Sequence, residues 1–127
     1  MPERHIPYFI DANVWLYAVG DQPAWQQACL AFLDGLRQAE CVSVTSVAVL
    51  EEVWFLAYRQ CRDPVLVKAL LERIERAVAL LLPVTVADYR LALRLFGQVR
   101  LPLAGTNDYL HVACMLNHRI RIMVSND

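Results

Sequence analysis

Blocks of apolar residues alternate with polar positions along the chain and predict short strands separated by helices. The apolar run of Tyr8, Phe9 and Ile10 predicts a buried strand, and residues 41–44 and 119–125 predict two more. A helix is expected to start at Ala12. Apolar positions three and four residues apart predict further helices over residues 23–37, 46–59, 64–82, 86–97 and 107–117.

Polar residues that can cap a helix precede most of these segments. The predicted caps are Thr45 or Ser46, Asp63 followed by Pro64, Thr85 with Asp88 in capping-box spacing, and Thr106. Pro83 is expected to end the helix that begins at Pro64. Residues 99–105 are predicted to form a loop.

This order of elements predicts an α/β fold. Strands separated by helices favour a parallel sheet with right-handed crossovers, and we predict a three-layer α/β/α sandwich with a central parallel sheet. No repeat or linker interrupts the sequence, so residues 1–127 are expected to form one domain. Ligands of such sheets bind beyond the carboxyl ends of the strands. Asp11 and Asp127 each follow a predicted strand there.

Composition limits the classes of protein to consider. The hydrophobic fraction is 57%, but the stretches without a charge are too short to span a bilayer. The N-terminus does not resemble a secretion signal, so we expect a cytoplasmic protein without a membrane partner. The four cysteines include no CxxC pair, which argues against a zinc site or a disulfide framework and indicates buried thiols.

The net charge neither indicates nor excludes a nucleic-acid partner. The formal net charge is −1, and of the 12 basic residues only Lys68 is not an arginine. Arginine suits bidentate contact with phosphate. With Asp11, Glu52, Asp108 and Asp127 set aside as candidate ligands, the body of the chain is slightly basic, which suits a polyanionic substrate.

Four acids stand where a charge needs an explanation. Asp11 could simply cap the helix that starts at Ala12, and Asp108 lies in a first helical turn, where the macrodipole favours an anion. Glu51 and Glu52 lie within an apolar helix, where a charge needs a partner, and spacing alone does not choose between them.

Together these acids indicate a cation site. Carboxylates that converge repel one another, and a fold tolerates them by raising pKa values or by holding a cation. Oxygen ligands suit Mg²⁺ or Mn²⁺. Such an ion can bind a phosphodiester and lower the pKa of an attacking water. The sequence therefore favours hydrolysis of phosphodiester bonds.

Three segments of the chain carry a family resemblance. FIDANVWLYA, SVAVLEEVWFLAYR and TNDYLHVACMLNHRIRIMVSND resemble, in order and spacing, the signature regions of the PIN domain, and most of all its VapC-like branch of toxins. The resemblance implies a parallel sheet with helices on both faces and Mg²⁺- or Mn²⁺-dependent endoribonuclease activity on single-stranded RNA. It also implies a homodimer and a cognate antitoxin protein.

The resemblance implies the site residues as well. The V-L-x-E pattern selects Glu52 over Glu51. The implied catalytic and metal-binding residues are Asp11, Glu52, Asp108 and Asp127. Residues that would help to order water, substrate or these ligands are Asn13, Thr45, Ser46, His111, Ser125 and Asn126. For His111, a packing or hydrogen-bonding role is the alternative to contact with substrate or metal.

Two other functions remain open at this stage. The chain ends at Asp127, where members of the family usually continue with a short strand, so either the sequence is truncated or the fold does without that edge strand. This shortening makes a non-catalytic PIN-like module that binds RNA or protein the first alternative. An aspartate-based phosphatase is the second, although it would need an acid in place of Asn13 and a lysine later in the chain than Lys68.

Overall fold

The computed structural model describes residues 5–19, 23–100 and 105–125. The strands are β1 (Pro7–Ile10), β2 (Val42–Ser46), β3 (Leu80–Leu82) and β4 (Ile122–Val124). The helices are α1 (Ala12–Val19), α2 (Pro23–Gln38), α3 (Val47–Cys61), α4 (Pro64–Ala77), α5 (Val86–Gln98) and α6 (Thr106–Asn117).

The strands form one parallel sheet in the order β3-β2-β1-β4, flanked by the helices. This confirms the predicted α/β/α class. The register places Phe9 of β1 beside Val44 of β2 and Met123 of β4. The chain runs from β1 to β2 on one side and reaches β4 on the other. A topological switch point, where ligands of such sheets bind, therefore lies between β1 and β4.

The main core lies along the two central strands. Its fully buried members include Phe9, Ile10, Val44, Val49, Val53 and Ile74. Burying a large apolar side chain of this kind contributes about 1.5–3 kcal/mol relative to leaving it in water. A smaller cluster of Ala92, Tyr109 and Ala113 joins α5 to α6. The carboxyl end of β1 is thus held between packed elements.

The prediction of one helix from Pro64 to Pro83 was wrong at its C-terminal end. The helix stops at Ala77, and Val78 already has extended backbone angles. The N–H of Ala79 donates to the backbone oxygen of Ser43 at 3.1 Å, and residues 80–82 then pair with β2. A short apolar run is equally compatible with a buried helix and a buried strand. Here it forms a strand because it pairs with the free edge of β2.

Two predicted caps also need correction. Ser46 caps α3 by accepting from the N–H of Val49 at 3.3 Å, whereas Thr45 belongs to β2, which runs two residues beyond its predicted end. Thr106 is the first residue of α6 and not its cap, which is Gly105 without a side-chain bond. The predicted cap of α4 and the Thr85–Asp88 capping box of α5 are confirmed.

The last strand is shorter than predicted because its first residues close α6. Arg119 has a positive φ of 58°, in the left-handed region, and the N–H of Ile120 donates back to the oxygen of Met115 at 2.8 Å. Such reversals commonly end helices. Within the described residues, no strand pairs with the outer side of β4.

Composition led to two further predictions, that the cysteines are buried thiols and that no stretch spans a bilayer. Cys29 and Cys114 are buried free thiols as predicted, but Cys61 is exposed and Cys41 is only partly buried. No helix of the described residues joins the length and the apolar character needed to cross a membrane.

Candidate active site

Asp11 lies at the carboxyl end of β1 with its two carboxylate oxygens in different contacts. Its backbone N–H donates to the oxygen of Val124 at 3.0 Å, which extends the β1–β4 ladder by one step. Oδ1 accepts from the N–H of Ala12 at 2.8 Å, and Oδ2 accepts from the hydroxyl of Ser125 at 3.3 Å. Asp11 therefore caps the start of α1, which is the structural role considered for it from the sequence. Its second oxygen faces the β4 side of the switch point.

Glu52 reaches the same place from α3. Its Oε1 accepts from Nδ2 of Asn107 at 3.3 Å and lies 3.7 Å from Nε2 of His111. The neighbouring His111 lowers the pKa of Glu52 against the opposing effect of burial, and the Asn107 bond lowers it further. Glu51 is exposed and instead lines a groove with Trp54. The structure thus places Glu52, and not Glu51, beside the other predicted ligands.

Asp108 lies in the first turn of α6, partly buried. Burial raises the pKa of its carboxyl, and the nearby charges of Asp11 and Glu52 raise it further. A backbone hydrogen bond with Gly105 and the neighbouring His111 oppose this rise without cancelling it. Asp108 therefore lies near enough for the charges of Asp11 and Glu52 to act on it, but it is not in the group of ligand atoms within 4.8 Å of one another that Asp11 and Glu52 share with His111.

His111 is the buried member of this group. Only 1% of the residue is exposed, its ring packs against Phe9 with centroids 5.9 Å apart, and neither ring nitrogen has a hydrogen-bond partner among the described residues. One ligand atom from each of Asp11, Glu52 and His111 lies within 4.8 Å of the other two. Its contact with Glu52 at 3.7 Å is electrostatic, because it is too long for a hydrogen bond.

The donor set fits a hard divalent cation. Two carboxylates, Asp11 and Glu52, share the site with Asp108 nearby, and no Lys or Arg of the described residues lies within 4.0 Å of any of these three acids. A bound cation relieves the repulsion between neighbouring carboxylates when no basic side chain offsets their charge. Carboxylate oxygens are the ligands that Mg²⁺ and Mn²⁺ prefer, and a single imidazole is compatible with the latter.

The other predicted residues differ in their relation to these acids. The hydroxyl of Thr45, fully buried, donates to the oxygen of Ile10 at 3.0 Å, and so ties the end of β2 to the end of β1. Asn13 is partly buried and lines a groove with residues of α3 and α4. Asn126 and Asp127 lie outside the described residues, so the fourth acid stays a prediction.

The family to which the chain belongs follows from a comparison with known protein families. A profile of the PIN domain matches residues 8–127, which include all four predicted acids. The chain belongs to the PIN domain family. A comparison with functionally curated proteins gave no match.

Solved structures with the same fold include VapC toxins. VapC20 of Mycobacterium tuberculosis, a toxin that cleaves the sarcin–ricin loop, superposes with a TM-score of 0.75 at 20% identity, covering 94% of this chain and 89% of VapC20. The VapBC2 structure of Rickettsia felis, bound to a DNA fragment from its promoter, gives 0.70 at 16% identity, covering 96% of this chain and 89% of the other. At these identities, the likeness shows that the PIN fold is shared.

Asn107 is the site residue that sequence reasoning missed. It precedes Asp108 in the first turn of α6 and donates to Glu52, 55 positions away. Nothing local distinguishes an asparagine at a helix start from a surface residue. Its place directly before a predicted ligand was the only available signal.

A second cluster in this PIN domain combines potential metal ligands but is structural. Asp88, Cys114 and His118 lie together between α5 and α6. Both oxygens of Asp88 are bonded, Oδ2 to the N–H of Thr85 at 2.9 Å and Oδ1 to Nδ2 of Asn117 at 2.7 Å. Burial, with a smaller effect of Asp88, raises the pKa of the Cys114 thiol to about 11. A protonated thiol and a saturated carboxylate are poor ligands.

Proposed function

We propose that this PIN domain is a divalent-metal-dependent endoribonuclease of the VapC toxin kind, which hydrolyses phosphodiester bonds of RNA. The grouping of Asp11, Glu52 and His111 at the β1–β4 switch point, with Asp108 near enough for the charges of Asp11 and Glu52 to raise its pKa, carries the proposal. The family relationship and the fold of VapC20, itself an RNA-cleaving toxin, support it.

In this proposal Asp11, Glu52, Asp108 and Asp127 hold Mg²⁺ or Mn²⁺. Once bound, such an ion stabilises negative charge on the phosphate and makes a water more acidic. The protein's own contribution is to fix the acids in place. Asp11 is held by Ala12 and Ser125, and Glu52 is held by its neighbours on α6. These bonds hold the carboxylates of Asp11 and Glu52 in fixed orientations.

We further propose a homodimer with a cognate antitoxin as partner. The Rickettsia felis neighbour is the VapBC2 pair, which supports a protein partner for this chain too. The exposed aromatic side chains of Trp54 and Phe55, 59% and 62% exposed, leave apolar surface that protein partners commonly cover.

The phosphatase alternative has less support in this structure. Asn13 stands two residues after Asp11, where that chemistry needs an acid, and lines a groove next to α4. Lys68 is exposed on α4 and belongs to mid-chain. Neither residue supplies the acid or the late lysine of an aspartate-based phosphatase.

The decisive experiment compares RNA cleavage by the wild-type protein and by Asp11→Asn in Mg²⁺ or Mn²⁺. The wild type should cut RNA internally, and the variant should be slower by about 100-fold or more, the scale of a lost electrostatic contribution in an active site. Asp63→Asn, a cap replacement on α4, is the matched control and should cleave at the wild-type rate.

Equal cleavage by Asp11→Asn and the wild type would refute the proposal. Binding of Mn²⁺ and RNA without cleavage would favour the non-catalytic module. Release of phosphate from a monoester, without cleavage of RNA, would favour the phosphatase.

A further inference from the structure

One face of α6 presents two polar side chains to a single oxygen of Glu52. Asn107 and His111 are four residues apart, so they lie one above the other on the helix. Nδ2 of Asn107 donates to Oε1 at 3.3 Å, and Nε2 of His111 lies 3.7 Å from the same atom. Within the described residues, no donor contacts Oε2. The contacts therefore fasten one oxygen of this carboxylate and leave the other available.

Glu52 needs such a restraint more than the other acids of the site. Asp11 has a short side chain held by two hydrogen bonds, and it is 8% exposed. Glu52 has a longer side chain that is 25% exposed. Fixing a long side chain costs conformational entropy when a ligand binds, so a carboxylate that is already held binds a cation more tightly.

The chemistry of Asn107 suits this task. An amide N–H can hold a carboxylate without neutralising it, whereas a Lys or Arg in the same position would compete with the cation for the charge. Asn107 is exposed and its side chain makes its one described contact with Glu52, so helix stability does not account for it. Replacing a residue that holds a metal ligand in place typically lowers metal affinity or activity by about 10- to 100-fold.

We propose that Asn107 is a positioning residue, which holds Oε1 of Glu52 so that the carboxylate is preorganised for a divalent cation. The inference rests on the proposed function, because it assumes that Glu52 binds the cation. It adds a residue that neither the sequence motifs nor the family relationship assigned to the site. Nε2 of the buried His111, one turn further along the same face of α6, lies 3.7 Å from the same oxygen.

Isothermal titration of the full chain with MnCl₂ tests the proposal, with thermal unfolding of the metal-free protein as the second readout. Asn107→Ala should bind Mn²⁺ about 10-fold more weakly than the wild type. Its metal-free unfolding temperature should be unchanged, because the residue is exposed. Asn107→Gln, which retains the amide, should recover part of the affinity.

Asn117→Ala is the matched control. It removes another asparagine-to-carboxylate bond from the same helix, the bond to Asp88 at 2.7 Å. This variant should lose thermal stability and keep the wild-type affinity for Mn²⁺. Asn107→Ala should therefore lower the affinity for Mn²⁺ without lowering the stability, and Asn117→Ala should lower the stability without lowering the affinity.

The possible failures are distinct. If the wild type binds Mn²⁺ and Asn107→Ala binds it equally well, the positioning role is refuted and the proposed function stands. If Asn107→Ala loses affinity only in proportion to a lower unfolding temperature, its role is structural and the inference is also refuted. If the wild type itself binds no Mn²⁺, the proposed function fails, and the inference fails with it.

Discussion

Asp11 shows how one side chain combines a structural and a chemical role. Oδ1 caps α1 while Oδ2 lies beside Ser125 at the switch point. An asparagine can cap a helix about as well as an aspartate, because its side-chain oxygen accepts the same bond. The hydrogen bond at the start of α1 therefore does not require the charge of Asp11, and the proposed cation site gives that charge a role.

This separation predicts the stability of Asp11→Asn. In the metal-free protein, the substitution removes one negative charge from a group of repelling acids and keeps the cap. We expect the free energy of unfolding in EDTA to stay the same or to rise by up to about 1 kcal/mol. Urea denaturation measures it, with Asp63→Asn as the control cap outside the group. A loss clearly above 1 kcal/mol would show that the charge itself stabilises the fold.

At the scale of elements, each end of α6 donates a side-chain hydrogen bond to an acid of another helix. Its first turn carries Asn107 and Asp108, which belong to the candidate site. Its last residue, Asn117, donates to the buried Asp88 of α5. The Thr85 capping box places that carboxylate. The hydrogen bond between Asn117 and Asp88 therefore stabilises the packing of α5 against α6, more than two turns away from the candidate site.

This anchor predicts a pH dependence of stability. Although burial opposes it, hydrogen bonds from Asn117 and Thr85 hold the pKa of Asp88 below its ordinary value of 3.8. A carboxyl with a depressed pKa in the folded state stabilises the protein above its unfolded-state pKa. That contribution is lost as the pH falls through the folded-state value. The loss attributable to Asp88 is therefore expected below about pH 4.

Asp88→Ala should accordingly reduce the free energy of unfolding at pH 7 by about 2 kcal/mol, the scale of hydrogen bonds to a charged group. The difference from the wild type should shrink as the pH falls below 4. Denaturation in urea at several pH values measures both effects. Asp63→Ala, which removes a helix cap alone, should cost about 1 kcal/mol at pH 7. A difference that does not change with pH would contradict the assigned role of the Asp88 charge.

At the scale of the whole molecule, a cation at the switch point would link distant parts of the chain. Asp11, Glu52 and Asp108 come from the end of β1, from α3 and from α6. An ion that binds the folded state alone stabilises it by mass action, by about 2.7 kcal/mol at a concentration 100 times the dissociation constant.

Thermal unfolding with and without Mn²⁺ tests this linkage. The wild-type unfolding temperature should rise with Mn²⁺ concentration, and that of Asp11→Asn should rise far less. Variants with an intact site, such as Asp88→Ala, should start lower but show the wild-type increase. Equal increases in the wild type and in Asp11→Asn would place the cation elsewhere on the molecule.

Local features of the sequence determined much of the fold. The alternation of strands and helices, the Asp63 cap with Pro64 and the Thr85–Asp88 box depend on residues at most a few positions apart. They were therefore predictable. The meeting of Asp11 with Asp127 at one edge of the parallel sheet stays a prediction, because Asp127 lies outside the described residues, and Glu52 was chosen over Glu51 by the family resemblance and not by spacing. Assignment of residues 1–127 to one domain stays a prediction.

Only the tertiary structure decided the features that depend on residues far apart in the chain. The run Leu80–Leu82 became a strand because the free edge of β2 lies beside it. Glu52 gained a hydrogen bond from Asn107, and His111 was buried below the same carboxylate, because α3 packs against α6. A sequence records which side chains are present and how they are spaced. Which of them touch is set by the packing of the whole core.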